Sequence, residues 1–116
     1  KKFNFTFTPH LAPMFRGILT TVYIDAYKKC SIDKIHKCLN HFYKNKIFVK
    51  VLKTNTLIST NDVINTNNCY LSVFKTRSKN KYIILSAIDN LIKGGAGQAI
   101  QNMNIKFNFS ESEGLK

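Results

Sequence analysis

The chain has 116 residues, a formal net charge of +12 and 44% hydrophobic residues. This length fits one small domain or a piece of a larger protein, and the hydrophobic content excludes a disordered tail. No apolar run approaches the roughly 20 residues of a membrane-spanning helix, so no membrane partner is expected. The N-terminus, KKFNFTFTPH, alternates polar and apolar residues and lacks the apolar block of a signal peptide.

The positive charge comes mostly from lysines that are dispersed along the chain. Dispersed lysines are typical of a solvated surface, so nucleic-acid binding is the weaker interpretation. Cys30, Cys38 and Cys69 are an odd set without CxxC spacing. They indicate reduced thiols in a cytoplasmic protein, with neither a disulfide framework nor a metal site.

The N-terminal half alternates strand and helix patterns. Phe3, Phe5 and Phe7 alternate with polar residues, which predicts a strand over 2–8 with one buried face. After the prolines at 9 and 13, the pattern predicts a second strand over about 18–27, covered on both sides. Ser31 can cap a helix that runs to about Lys44, followed by a strand over 47–52. The apolar stripe of this helix comprises Ile32, Ile35, Leu39, Phe42 and Tyr43, and we expect His36 to lie half-exposed on its flank, not as a ligand.

The C-terminal half begins with an irregular connection over 53–68, with a short strand near Leu57. Strands over 70–76 and 81–88 follow, joined by a hairpin turn at 77–80. A last helix from about Gly95 to Phe107 precedes a polar tail, 110–116, that we expect to be frayed. The apolar face of this helix comprises Ala96, Ala99, Ile100, Met103 and Phe107. This order predicts an α+β fold with a mostly antiparallel mixed sheet and a helix packed on one face.

Two loops could carry chemistry. Glycines at 94, 95 and 97, before the last helix, suggest that a ligand approaches the backbone closely, although a tight turn without a ligand explains them too. In the loop between Pro9 and Gly17, His10 can act as an acid or base, and Arg16 carries donors suited to a carboxylate or phosphate. The alternative is a rigid loop with His10 bonded to the backbone and Arg16 solvated. No paired carboxylates or metal-spaced ligands are present, and Cys69 lacks the base that a nucleophile needs.

Two stretches resemble one family. Residues 7–19, FTPHLAPMFRGIL, resemble its FTPHLxPMxRGIL segment, and residues 87–104, AIDNLIKGGAGQAIQNMN, resemble its AIDNLxKGAAGQAxQNMN segment. The family is that of the N-acetyl-γ-glutamyl-phosphate reductases, the arginine-biosynthesis branch of the semialdehyde dehydrogenases. Gly95 replaces the usual alanine, and the likeness covers nearly the whole chain.

The resemblance implies an NADP-dependent reduction of N-acetyl-glutamyl 5-phosphate to the 5-semialdehyde through a cysteine thioester, with a histidine as acid/base. The family's catalytic cysteine, its histidine and its glycine-rich dinucleotide loop lie upstream of Lys1. We therefore expect a C-terminal portion, inactive alone, with no catalytic residue of its own. His10 belongs to a neighbouring loop and is not equated with the catalytic base.

The same resemblance implies a division of roles. Residues 1–93 would belong to the catalytic and oligomerisation domain, which forms homo-oligomers through its sheet, and 94–116 to the absent NADP-binding domain. Arg16 and His10 would lie on the substrate side, and Asn90, Gly94, Gly95 and Gly97 on the NADP side. The apolar face of the last helix would dock on the absent domain; in isolation it must fold back, pair with another copy or stay exposed. The alternatives are a small basic module for nucleic acid or another polyanion, and a structural domain that has lost catalysis.

Overall fold

The computed structural model describes residues 4–26 and 30–116. Its strands are β1 (Ile18–Asp25), β2 (Val49–Val51), β3 (Cys69–Lys75) and β4 (Lys81–Ile88), and its helices are α1 (Ile32–Tyr43) and α2 (Gly97–Lys106). The strands form one sheet in the order β1-β4-β3-β2. β4 pairs antiparallel with both β1 and β3, whereas β2 and β3 are parallel. The predicted α+β fold with a mostly antiparallel mixed sheet is confirmed.

Helix α1 lies against β2 and β3 and confirms the sequence-based prediction closely. The Ser31 hydroxyl accepts a hydrogen bond from the Lys34 amide, so Ser31 is the N-cap. The imidazole of His36 is half-buried, and its Nε2 lies 2.9 Å from the carbonyl oxygen of Leu52. The expectation of a packed, half-exposed histidine is therefore correct.

The core lies where the irregular connection after β2 folds over the sheet. Ile58, Val63 and Ala87 form the centre of this cluster, and Leu52, Tyr70 and Leu85 pack against it. The connection contains a short 3₁₀ turn at Thr60–Asp62 and no strand. The strand predicted near Leu57 is wrong, and that side chain is exposed.

The N-terminal region differs most from the prediction. Residues 4–8 form no strand, and Phe5 is 85% exposed. A strand needs a neighbour to complete its hydrogen-bond ladder, and no described residue offers one to this segment. Strand β1 ends at Asp25, while Tyr27 lies outside the described residues. It is largely exposed rather than covered on both sides, because no described helix packs extensively on either of its faces.

Helix α2 follows a wider π-helical turn at Ile92–Ala96 and begins two residues later than predicted. Its buried residues are Gly97, Gln101 and Asn104, whereas the apolar residues of a neighbouring face are exposed. We call that face the outer face of α2; it comprises Ala96, Ala99, Ile100, Met103 and Phe107. None of the described helices is long and apolar enough to cross a membrane.

The tail after α2 is anchored, so the expectation of fraying is wrong. The amide side chain of Asn104 donates to the carbonyl oxygens of Glu111 and Glu113, at 3.3 and 2.9 Å. The backbone amide of Asn67 donates to the carbonyl of Lys116 at 2.6 Å. These hydrogen bonds help to hold a largely polar segment in place, which the composition alone does not reveal.

Candidate functional site

Two segments far apart in sequence meet at one end of the sheet. Because Ile18 at the start of β1 pairs with Ile88 at the end of β4, the residues before β1 lie beside those after β4. We call this meeting point the junction; it comprises Arg16, Gly17, Asp89 and Asn90. The register of one strand pair thus joins the two loops that the sequence singled out separately.

Asp89 is the most highly bonded side chain of the junction, and it is completely buried. The guanidinium Nε of Arg16 lies 2.9 Å from one carboxylate oxygen and 2.8 Å from the other. Backbone amides of Asn65, Leu91 and Ile92 donate to the same carboxylate at 2.8, 2.9 and 3.0 Å. The carboxylate therefore has partners on both oxygens, as a buried charge requires.

These partners decide the protonation state of Asp89. Burial raises the pKa of its carboxyl group, but the hydrogen bonds from Arg16 and from the amides of Asn65, Leu91 and Ile92 lower the pKa and prevail. The net pKa lies below the usual value for an aspartate. The junction therefore holds a carboxylate anion and a guanidinium cation at neutral pH.

Arg16 uses only part of its hydrogen-bonding capacity on Asp89. Its Nε is engaged, and within residues 4–26 and 30–116 neither Nη group donates to another residue. The side chain is 18% exposed. Because the two Nη groups form a planar fork of N–H donors, they can bind two oxygens of a carboxylate or phosphate.

Gly17 permits the chain to enter β1 beside Asn90. Its φ of +109° lies in the region that side chains rarely adopt, and a Cβ there would lie 2.6 Å from Cβ of Thr60. Its amide donates to Oδ1 of Asn90 at 2.8 Å. The Nδ2 donor of Asn90 has no partner among the described residues and remains available.

His10 lies apart from the junction. It is exposed, its Nδ1 is 3.2 Å from the carbonyl oxygen of Thr8, and no described contact joins it to Arg16. It lines a groove of about 830 Å³ between residues 6–10 and strand β1. The two residues predicted for the substrate side are therefore not brought together.

The glycines before α2 fall into two groups. Gly94 and Gly95 are exposed in the π-helical turn, and the amide of Gly94 donates to the carbonyl of Asp89 at 2.9 Å. Gly97 is buried, and a Cβ there would lie 2.5 Å from both Oδ1 of Asn67 and Cγ2 of Ile92. Close packing explains why residue 97 is a glycine, whereas the backbone of Gly94 and Gly95 is exposed.

A polar network fastens the inner face of α2. Oε1 of Gln101 accepts from Nζ of Lys93 at 2.6 Å and from Nδ2 of Asn67 at 2.9 Å, and its Nε2 donates to Glu111 at 2.7 Å. Burial lowers the pKa of Lys93, and the electrostatic influence of nearby Cys69 and Glu111 offsets only part of that shift. The helix is therefore held by hydrogen bonds rather than by an apolar face.

Two residues of these networks were not found from the sequence. From the sequence, Asp89 is one of six acids that form no catalytic pair, and Gln101 lies outside the apolar face of the last helix. Aspartate side chains often accept hydrogen bonds from the backbone amides two and three residues later in a turn. Leu91 and Ile92 stand at these positions after Asp89, so this pattern could have identified Asp89. Nothing in the helical periodicity indicates a buried Gln101.

Comparisons with the sequences of known proteins agree with both motifs. The family described as "Semialdehyde dehydrogenase, dimerisation domain" matches residues 1–90, and the chain belongs to it. A Clostridium botulinum protein named N-acetyl-gamma-glutamyl-phosphate reductase is 50% identical over 98% of this chain and 33% of its own length. Proteins of the same name from Clostridium beijerinckii and Thermoanaerobacter pseudethanolicus are 48% and 44% identical, each over 33% of their length.

The predicted resemblance is thus confirmed, and the chain spans about a third of the length of the curated relatives it matches, at 33%. These relatives are named as reductases, which agrees with the oxidoreductase family to which the chain belongs. The alternative of a nucleic-acid-binding or polyanion-binding module finds no support in them.

Proposed function

We propose that this chain is the C-terminal part of an NADP-dependent N-acetyl-γ-glutamyl-phosphate reductase, inactive alone, and that Arg16 binds the acyl-phosphate substrate. The observation that carries the proposal is the state of the Arg16 guanidinium, which is anchored through Nε while both Nη groups remain without a partner among the described residues. The substrate offers a carboxylate and a phosphate, the two anions that such a fork of donors matches.

The role of His10 in this proposal is secondary. Its imidazole lines the groove beside β1, where an anionic ligand could reach it, and among the described residues its one hydrogen-bond contact is with the Thr8 carbonyl. We assign it to the outer part of the substrate site, away from the reacting carbon. The acid/base group and the nucleophile of the reaction would come from the part of the reductase that precedes these residues.

The NADP side is proposed on the other half of the junction. Asn90 retains a free Nδ2 donor that suits a carboxamide oxygen, and Gly94 and Gly95 offer exposed backbone without side chains. These residues fit the nicotinamide end of the cofactor, which when bound supplies the hydride that reduces the substrate. Gly97 contributes indirectly, because its lack of a side chain lets the turn pack on Asn67.

The exposed apolar surfaces support the proposed assembly. The outer face of α2 would dock on the NADP-binding domain, to which we assign residues 94–116. Ile18, Leu19 and Val22 leave β1 with an exposed apolar surface and an unpaired edge. We propose that a second copy covers it, which agrees with the dimerisation role in the family description. A cytoplasmic location fits such a biosynthetic enzyme.

The experiment is a comparison of two arginine substitutions in a full-length reductase that contains these residues. Arg16→Ala should raise the KM for the acyl phosphate about tenfold or more, because a charge-assisted bidentate contact is lost, and leave the KM for NADPH unchanged. Arg77→Ala, in the exposed hairpin turn, is the matched control. Equal KM values for the acyl phosphate in both variants would refute the role of Arg16.

The cofactor side has its own variant. Asn90→Asp keeps an oxygen for the Gly17 amide but removes the Nδ2 donor. It should raise the KM for NADPH several-fold while the protein stays folded. A variant with the KM for NADPH of the unaltered enzyme would remove Asn90 from the cofactor site.

A further inference from the structure

Asp89 has no role in the function proposed above, yet it bonds to the residue on which that function depends. Its carboxylate contacts Nε of Arg16 at 2.9 and 2.8 Å and is completely buried. We propose that Asp89 is a positioning residue that fixes the Arg16 guanidinium in the orientation in which its two Nη groups receive the substrate anion. The inference rests on the proposed substrate role of Arg16.

Geometry makes Asp89 suited to this role. A guanidinium is planar, so a contact at Nε fixes the direction of both Nη groups without occupying them. An arginine side chain is rich in rotamers, and ordering it when a ligand binds costs affinity. Because Asp89 orders Arg16 beforehand, that cost falls on folding rather than on binding.

The charge of Asp89 would weaken an anion site if Arg16 were its sole partner. Three backbone amides, those of Asn65, Leu91 and Ile92, also donate to the carboxylate. Their dipoles stabilise the negative charge, so the guanidinium retains part of its attraction for a second anion. A neutral asparagine at position 89 would hold the arginine less firmly, because it carries no negative charge and has one acceptor oxygen instead of two.

The surroundings also make Asp89 a rigid support. Its backbone carbonyl accepts from the Gly94 amide at 2.9 Å, and its neighbour Asn90 accepts from the Gly17 amide at 2.8 Å. The residue that follows Arg16 is therefore bonded to the residue that follows Asp89. Both ends of the contact are fixed in the backbone, so the Arg16–Asp89 pair has little freedom to separate.

The test is a double-mutant cycle in a full-length reductase that contains these residues, with Arg16→Ala, Asp89→Asn and the double variant. Asp89→Asn should raise the KM for the acyl phosphate about tenfold when Arg16 is present. In the Arg16→Ala background the same substitution should change it by less than about twofold, because Asp89 acts through the arginine. Asp25→Asn, in the exposed pair with Lys81, removes the same charge as a control and should leave the KM unchanged.

The outcomes separate the two proposals. An Arg16→Ala variant with an unaltered KM for the acyl phosphate refutes the substrate role of Arg16 and the inference with it. A raised KM for Arg16→Ala, together with an equal effect of Asp89→Asn in both backgrounds or no effect in either, refutes the positioning role alone.

A second variant keeps the test valid if Asp89→Asn fails to fold. Arg16→Lys retains the positive charge but has no Nε, so one ammonium group cannot both hold Asp89 and present a fork to the substrate. Its KM for the acyl phosphate should rise about tenfold with Asp89 intact. A KM like that of the unaltered enzyme would overturn the positioning role.

Discussion

The stretch from β4 to the end of α2 contains two regions with opposite chemistry. Asp89, at its start, is charged and completely buried, whereas Ile100 and Met103, near its end, are apolar and exposed. The buried charge is stable because every side of it is bonded within the chain. The exposed apolar face has no counterpart among the described residues. One region is therefore complete within the chain, whereas the other exposes an apolar surface that we propose a partner covers.

Within α2 the same contrast separates the two sides of one helix. Gln101 and Asn104 face inward and are buried in hydrogen bonds, while the outer face of α2 is exposed. A contiguous apolar face on one side of a helix is typical of a surface that another part of a protein covers. The polar inner side therefore fixes the helix to this chain, and the outer face remains free for a partner.

The largest expected effect is that of removing the carboxylate of Asp89. Asp89→Ala leaves Arg16 and three buried backbone amides without their acceptor, so the free energy of unfolding should fall by about 3–5 kcal/mol. Urea unfolding of the 116-residue chain measures it. Asp25→Ala, in an exposed pair, should change stability by about 0.5 kcal/mol or less. Similar midpoints for the two variants would mean that the junction does not stabilise the fold.

A smaller effect on stability is expected at Gly97, where α2 packs closely against Asn67 and Ile92. Gly97→Ala places a Cβ 2.5 Å from Asn67 and Ile92, so the free energy of unfolding should fall by about 1–3 kcal/mol. Gly94→Ala is the matched control, because its nearest neighbour would be Cδ1 of Ile88 at 3.4 Å. Equal stability of the two variants would show that the packing at Gly97 can relax without cost.

The pH dependence of stability gives a third comparison. The folded-state pKa of Asp89 lies below its unfolded value, so its contribution is present above the unfolded pKa and is lost as pH falls through the folded pKa. Thermal melts at pH values from about 5 downward should therefore show a steeper loss of stability in the unaltered chain than in Asp89→Asn. Parallel pH profiles would show that the carboxylate does not titrate as the structure requires.

The smallest effect is expected on the outer face of α2. Met103→Ser should change the stability of the 116-residue chain by only about 0.5 kcal/mol, because the side chain is already exposed. In a full-length reductase the same substitution should cost about 1–3 kcal/mol, because the proposed domain contact would bury this methionine. An equal, small effect in both proteins would show that no domain contact buries Met103 in the full-length reductase.

Local patterns predicted most of the fold. The Ser31 cap and the hairpin between β3 and β4 depend on residues close in sequence, and both are confirmed. Of the predicted stripe of α1, Ile32, Ile35, Leu39 and Tyr43 are half-buried, whereas Phe42 is 71% exposed. The strand predicted over 2–8 is wrong for residues 4–8, because alternation cannot show whether a partner strand exists; residues 2 and 3 lie outside the described residues. The burial of Gln101 was not predicted, because it depends on Lys93, Asn67 and the tail, which helical periodicity does not include.

The candidate site was predictable in parts but not as a unit. Arg16 and Asn90 were selected from two separate motifs, and their juxtaposition follows from the pairing of Ile18 with Ile88, which a single sequence does not fix. His10 was grouped with Arg16 because they share a loop, yet the structure holds only Arg16 at the junction. The roles of all these residues remain predictions that kinetics can test.

In the proposed site, Asp89 holds Arg16 through Nε, and the two Nη groups of Arg16 bind the substrate. The most direct measurement is a crystal structure of a full-length reductase containing these residues, with NADP and an acyl-phosphate analogue bound. We expect Nε of Arg16 on the Asp89 carboxylate, both Nη groups within hydrogen-bond distance of the analogue's carboxylate or phosphate oxygens, and the Asn90 amide beside the nicotinamide. Nη groups bonded to another segment of the protein, with the analogue elsewhere, would contradict the account.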